Sequence, residues 1–258
     1  MERSPLRVLA AATLAAGGLI ALACTKVGTD PNVPVSIALA PPALPAMLKG
    51  DTLRNDAGAV APLVATVFNV HDDPIVDAPV RFLSLDTTHT ILVDSVTGVV
   101  TAKDTGQTLV VAFVGSLQAP PDTIVVVDTP TAVQNVDPLV DTLNYTFNGR
   151  DTLQALGVKV VHDTIGVRRV IVRYQFVYPA GLDNRDSTKV QLVDGNKQPS
   201  LVDTTDATGA VVRSLRIAPI ASALQGWVGG QATAVGPPGL AIAGNPVRFV
   251  IHVTITQP

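Results

Sequence analysis

The chain has 258 residues, a formal net charge of −3, 47% hydrophobic and only 15% charged residues, against about 25% charged in an ordinary globular domain. That length holds one large domain or two of ordinary size. Lys and Arg are scattered and adjacent only at Arg168-Arg169, which excludes the basic footprint of a nucleic-acid partner. Abundant β-branched residues punctuated by Pro and Gly favour short strands over helices.

The N-terminus carries Arg3 and Arg7, then an apolar run from Val8 to Ala23 broken by Thr13 and Gly17-Gly18. A bilayer-spanning helix needs about 20 apolar residues, so the run reads as the hydrophobic part of a signal peptide. It ends in Ile20-Ala21-Leu22-Ala23-Cys24, and Cys24 is the only cysteine, so it has no intramolecular disulfide partner. These residues resemble the bacterial lipoprotein signal, with Ala21 where that signal usually has Leu. The resemblance implies cleavage before Cys24 and lipidation there by thioether attachment and N-acylation with palmitate-type chains. Two or more acyl chains hold a protein stably on a membrane. Thr25, rather than Asp, follows the cysteine, which by the same resemblance implies transfer to the outer membrane in a two-membrane cell. Residues 1–23 are thus the signal peptide and 24–32 a polar tether.

From Val33 the chain breaks into short extended segments. Val35 to Leu39 alternates, and Leu63 to Val70 places Val64, Thr66, Phe68 and Val70 on one face. Val80-Arg81-Phe82, Ile91-Leu92-Val93, Val99-Val100-Thr101, Leu109 to Val114 and Thr123 to Val127 follow, separated by turn residues. About seven strands within ~100 residues is the pattern of a β-sandwich. Residues 129–138, from Thr129-Pro130 to Asp137-Pro138, read as a linker. Beyond it Leu143, Tyr145 and Phe147 alternate with polar Asn144 and Thr146, and Val170, Val172, Tyr174, Phe176 and Tyr178 alternate with the mixed set Ile171, Arg173, Gln175 and Val177. The last strand sets Phe249, Ile251, Val253 and Ile255 opposite Arg248, Val250, His252 and Thr254, the period of a half-buried antiparallel strand.

The halves read as diverged copies. Gly50-Asp51-Thr52-Leu53 recurs as Gly149-Arg150-Asp151-Thr152-Leu153, Val70-His71-Asp72 as Val161-His162-Asp163, and Val80-Arg81-Phe82 as Val172-Arg173-Tyr174. Asp94 to Val100 matches Asp206 to Val212. The order is kept while the offset drifts, which predicts loop insertions in the second copy. Val93-Asp94-Ser95-Val96-Thr97-Gly98-Val99-Val100-Thr101-Ala102 resembles the hairpin of bacterial Ig-like group 2 domains. The resemblance extends over residues 33–128. Thr204 to Ala210 more loosely resembles the turn of invasin-type Ig-like domains. The expected fold class is therefore all-β, two immunoglobulin-like β-sandwiches in tandem, at 33–128 and 139–258, after a lipoprotein signal peptide.

Catalytic and metal signatures are absent from the sequence. His71, His89, His162 and His252 show no zinc-site spacing, and His71-Asp72 with His162-Asp163 reads as a polar strand end rather than a dyad. Asp72, Asp73 and Asp77 crowd one loop, and Asp183 and Asp186 another, but no calcium-loop motif accompanies them, and Asp is an ordinary turn former. No Gly-x-Ser-x-Gly elbow exists, and the prolines of Gly236-Pro237-Pro238-Gly239 remove amides a phosphate cradle would need. The expectation is a non-enzymatic, cofactor-free, lipid-anchored protein of the cell envelope, serving as a structural spacer or a cell-adhesion module. Its partners are the membrane, through lipid on Cys24, and a protein or glycan surface ligand. A carbohydrate-binding accessory module is the alternative, and Tyr174 and Tyr178 exposed together on one face would be its mark.

Overall fold

The computed structural model describes residues 32–146, 152–176, 190–217 and 226–256. Cys24 and the signal peptide, Phe147, Tyr178, Asp183 and Asp186 lie outside them. The first half contains β1 (Ser36–Leu39), β2 (Met47–Leu48), β3 (Ala65–Phe68), β4 (Arg81–Ser84), β5 (Ile91–Val93), β6 (Val100–Ala102), β7 (Gly106–Val114), β8 (Leu117–Gln118) and β9 (Asp122–Val127). The second contains β10 (Ala132–Asn135), β11 (Val140–Thr146), β12 (Thr152–His162), β13 (Ile165–Gly166), β14 (Ile171–Phe176), β15 (Val190–Val193), β16 (Val202–Thr204), β17 (Ala210–Ile217), β18 (Gly226–Ala234) and β19 (Val247–Thr256).

The two halves share one topology. In the first, β2-β9-β7-β4 form one sheet, and the pairs β1-β3 and β5-β6 form the layer opposite. Residues 51–63 stitch those two pairs together: the Leu53 amide donates to Val100 O and the Leu63 amide to Gly98 O. In the second, β10-β12-β17-β15 face β11-β19-β18-β14-β16. Each half begins in one layer, then crosses so that its second strand lies parallel to its last, β2 along β9 and β11 along β19. The other strand pairs among the described residues are antiparallel. This is the two-sheet arrangement of an immunoglobulin-like sandwich, and the chain folds as two of them in tandem.

Alternation explains the cores. Phe249, Ile251 and Val253 of β19 are buried with Val172 and Tyr174 of β14 and Leu156, Val158 and Val160 of β12. The first core gathers Ile37, Val67, Phe82, Val100, Val110, Ala112 and Ile124. In and around β3 the interior residues are Leu63 and Val67, whereas Val64, Thr66 and Val70 face solvent. A strand rich in β-branched residues on both faces does not declare which face is buried; its neighbours decide.

The repeated Asp-Gly turns occupy equivalent places. Gly98 (φ 71°) and Gly209 (φ 79°) both turn the chain into the strand that follows, and Gly209 O accepts the Val160 amide as Gly98 O accepts that of Leu63. The drift in offset has one source in the first half. In the first, a small hairpin over Asn55–Val60 interrupts the segment before β3, closed by an Arg54–Val60 bridge. Arg54 pins it, donating twice to Asp51 Oδ1, once to Oδ2 and once to Gly58 O. Insertions were expected only in the second copy; the first carries one.

Residues 129–138 differ from the expected linker. Ala132–Asn135 form β10, antiparallel to β12, and Asp137 Oδ2 accepts the Gly157 amide. The connection between β9 and β10 is therefore Asp128 to Thr131. It is held by Thr129 Oγ1 to Lys49 O (2.8 Å), His162 Nδ1 with Thr129 O (2.7 Å) and the Thr131 amide to Val161 O. Proline and Asp at its ends imitate linker chemistry, but satisfied backbone groups make this segment part of the fold.

A Cβ at Gly209 would lie 2.4 Å from Val160 O and 2.7 Å from Gly166 Cα, whereas Gly195 has nothing within 4 Å. Gly209→Ala should cost at least about 2 kcal/mol, from the clash and the left-handed backbone, and Gly195→Ala about 0.5 kcal/mol or less. Urea denaturation of the two variants beside the parent checks the contrast.

Candidate functional site

The chemistry-bearing side chains are dispersed and locally engaged. His71 and His89 are exposed on separate turns. Asp72 and Asp163 both adopt positive φ at the turn after their strand, but His162 Nε2 is 4.0 Å from Asp163 while its Nδ1 meets Thr129 O. The matched His-Asp pairs are turn geometry. Among the described residues no group of three or more His, Cys, Asp or Glu is placed to hold a metal ion.

The aspartates work one residue at a time on nearby backbone. Asp94 Oδ1 accepts the amides of Val96 and Thr97, and Asp206 Oδ1 those of Thr208 and Ala210 together with the Thr208 hydroxyl. Asp194 does the same for Asn196 and Gln198. In the Asp-Thr pairs, Asp104, Asp122, Asp141 and Asp203 each accept the amide of the next residue. At Asp86, Asp94, Asp104 and Asp206 such bonds favour the ionised carboxylate. At Asp86 desolvation pushes the other way, yet the Thr88 hydroxyl and the amides of Thr88, Ile91 and Thr90 prevail and hold its pKa at about 2. Asp94, Asp104 and Asp206 are lowered as well, by the Thr97 amide, by Lys49 and by the Thr208 hydroxyl respectively.

One buried charge sits in the second sandwich. Arg213 points inward from β17, its side chain 8% exposed, and reaches across to the opposite sheet. It donates to Asp203 and to Val202 O on β16, and to Ser200 Oγ beside it. Tyr174 also links the sheets: its hydroxyl donates to Val211 O (3.3 Å), and burial pushes its phenol up. Both groups close the flank of the sandwich, and neither faces a cleft.

The aromatic platform expected of a glycan-binding sandwich does not form from Tyr174, which is 2% exposed, or from Tyr145 at 4%. Trp227 and His252, opposed on β18 and β19, stack instead on the outer face with ring centroids 4.5 Å apart. The indole leaves His252 only partly exposed.

The most developed contact region is the junction between sandwiches. On β2 and β9 one face, Met47, Ile124 and Val126, enters the first core. The opposite face, Leu48, Val125 and Val127, is buried with Val167 and Val170 of the second. Arg169 donates to Pro45 O (3.4 Å) and Arg173 to Asp56 O (3.1 Å). The cleft beside them, lined by Pro45, Met47, Arg54, Asn55, Arg169 and Pro237, has its guanidinium groups engaged within the protein. It is a structural seam. Sequence reasoning missed these contacts, although Ile124-Val125-Val126-Val127, apolar on both faces, signals a strand covered on both sides.

No family model matches the chain, and no curated protein matches it. Among solved structures it is similar to the adhesin InvE of Yersinia pseudotuberculosis, with 18% identity and a TM-score of 0.39 over 85% of this chain and 58% of that one. It thus spans a little over half the length of that adhesin. It is also similar to domains 4 and 5 of the S-layer protein SbsC (12% identity, TM-score 0.30, 86% of this chain and 98% of that one) and to the D0-D1 domains of intimin (15%, 0.28, 85% and 98%). At such identities and scores the assignment of fold rests on the strand order above.

Arg213→Ala should destabilise the protein by about 2–4 kcal/mol, by leaving Asp203 and the β16 carbonyl without their donor; thermal or urea unfolding measures it. The lowered Asp86 contributes stability that is complete above its ordinary range near 4 and disappears as pH falls through about 2. Circular dichroism should therefore show a fold intact at about pH 4.5 that weakens between about pH 4 and 2. Asp86→Asn should flatten part of that acid limb.

Proposed function

We propose that the mature chain is a non-catalytic, lipid-anchored component of the bacterial cell envelope. In this reading two Ig-like sandwiches form a stiff spacer or adhesive arm held to a membrane through Cys24. The observation that carries it is the double-sided burial of β2 and β9, which fixes one sandwich on the other. Fully burying Leu48, Val125 and Val127 contributes roughly 5–9 kcal/mol of gross apolar stabilisation. A four-residue connection bonded on both sides adds to the stiffness. A rigid arm suits a protein that must project from a surface and suits a catalytic hinge poorly. The residues before Cys24 that resemble the bacterial lipoprotein signal, and the Thr25 after it, support the anchor and its placement in an outer membrane. The parse into sandwiches at 33–128 and 139–258 belongs to the same proposal, with β10 counted in the second.

A carbohydrate-binding accessory role is the second reading. The Trp227–His252 stack on an outer sheet face favours it, and the burial of Tyr174 weighs against the broader platform it would need.

Two measurements bear on the leading reading. Cys24→Ala should move the mature protein from the membrane to the soluble fraction; retention of that variant would remove the lipid anchor. NMR relaxation of the soluble protein should give one rotational correlation time for both sandwiches, and Val125→Asp should split it into two. Independent tumbling of the parent would defeat the rigid arm.

A further inference from the structure

The second sandwich uses the loop between β12 and β14 to sit on the first, where Val167 and Val170 are 4% and 3% exposed. The corresponding loop of the first sandwich, between β3 and β4, is uncovered, and its Val76 is 81% exposed, the highest value among the large exposed apolar residues. Val76 is held outward. Its neighbour Ile75 packs on the first core and donates its amide to Val67 O (2.8 Å), and Pro74 and Pro79 flank the loop. Asn32 and Pro34 line the same shallow hollow as Val76, with Gly115 and Leu117 opposite, and Val33 and Val35 are exposed at 47% and 44%. The described chain therefore enters at this apex.

That geometry identifies an occupant. Cys24 stands eight residues before Asn32, and eight residues span at most about 28 Å. We propose that the apex of the first sandwich, led by Val76 with Val33, rests in the interfacial layer of the bilayer to which Cys24 is anchored; this rests on the lipoprotein reading. The contact orients the arm as well as tethering it. Asp72, Asp73 and Asp77 share the loop, so an anionic surface opposes the contact within a Debye length, about 10 Å at 0.1 M salt. The surface it fits is zwitterionic.

The test uses the full lipidated protein in phosphatidylcholine vesicles whose acyl chains are brominated, with Trp227→Phe so that one indole reports. Val76→Trp should be blue-shifted and quenched at least about twofold, as expected for insertion 5–10 Å deep. Val212→Trp, on an exposed position of the second sandwich, should not be quenched. Replacing half of the lipid with phosphatidylglycerol at low salt should reduce the quenching of Val76→Trp. Flotation of the vesicles separates the two ideas. Protein that floats while Val76→Trp stays as bright as Val212→Trp keeps the anchor and overturns the apex contact. Protein that fails to float overturns both.

Discussion

The two sandwiches are joined through β2 and β9, two parallel neighbours whose apolar residues are buried on both faces. Met47, Ile124 and Val126 close the first core while Leu48, Val125 and Val127 enter the second. A strand buried on one face can shift register at the expense of a single core; one buried on both would have to disrupt two. The parallel pairing of β2 with β9 therefore fixes the closing strand of the first sandwich and the seat of the second together. The short connection adds no slack, because Lys49, Thr129, Thr131 and His162 tie it from both sides.

Where one face meets water, the sequence was legible. β14 and β19 show their interior in strict alternation, and Val172, Tyr174, Phe249, Ile251 and Val253 are buried as that alternation requires. The Asp-Gly turns were legible too, since a left-handed glycine following an Asp that accepts amides ahead of it is a local device. Legibility failed where burial was set by a distant part of the chain. Nothing local distinguishes Val64 from Val67, yet one is 58% exposed and the other 1%. Nor does Thr129-Pro130-Thr131 announce that its donors and acceptors are claimed from residues 49 and 161. The candidate site was less legible than the fold: Cys24 is a motif, whereas the seam and the apex exist only once two sandwiches are stacked.

The acidic composition has the same logic. After Glu2, every acidic residue in the chain is Asp. An Asp carboxylate reaches amides one to four residues on, as at Asp94, Asp104, Asp194 and Asp206; a Glu side chain is one methylene too long for that geometry. A β-sandwich built from many tight turns recruits the shorter acid as a structural part. At Asp94 the amides of its own turn are what lower the carboxyl, whereas Asp104 also has Lys49 beside it.

That local use of polar groups bears on function. Catalysis needs several polar groups released from the backbone and convergent on one point. Among the described residues, Asp86, Asp94, Asp194 and Asp206 bond their own turns, Arg213 bridges two sheets and Tyr174 spans a core. Two surface features of the described residues stand out: a stacked indole and imidazole on one outer face, and the exposed Val76 and Val33 where the described chain begins. Surfaces of this kind act by contact and orientation. In the stiff arm proposed above, orienting one end would position the other, and the seam at β2 and β9 would be the element that carries a contact made at the apex to the outer face holding Trp227.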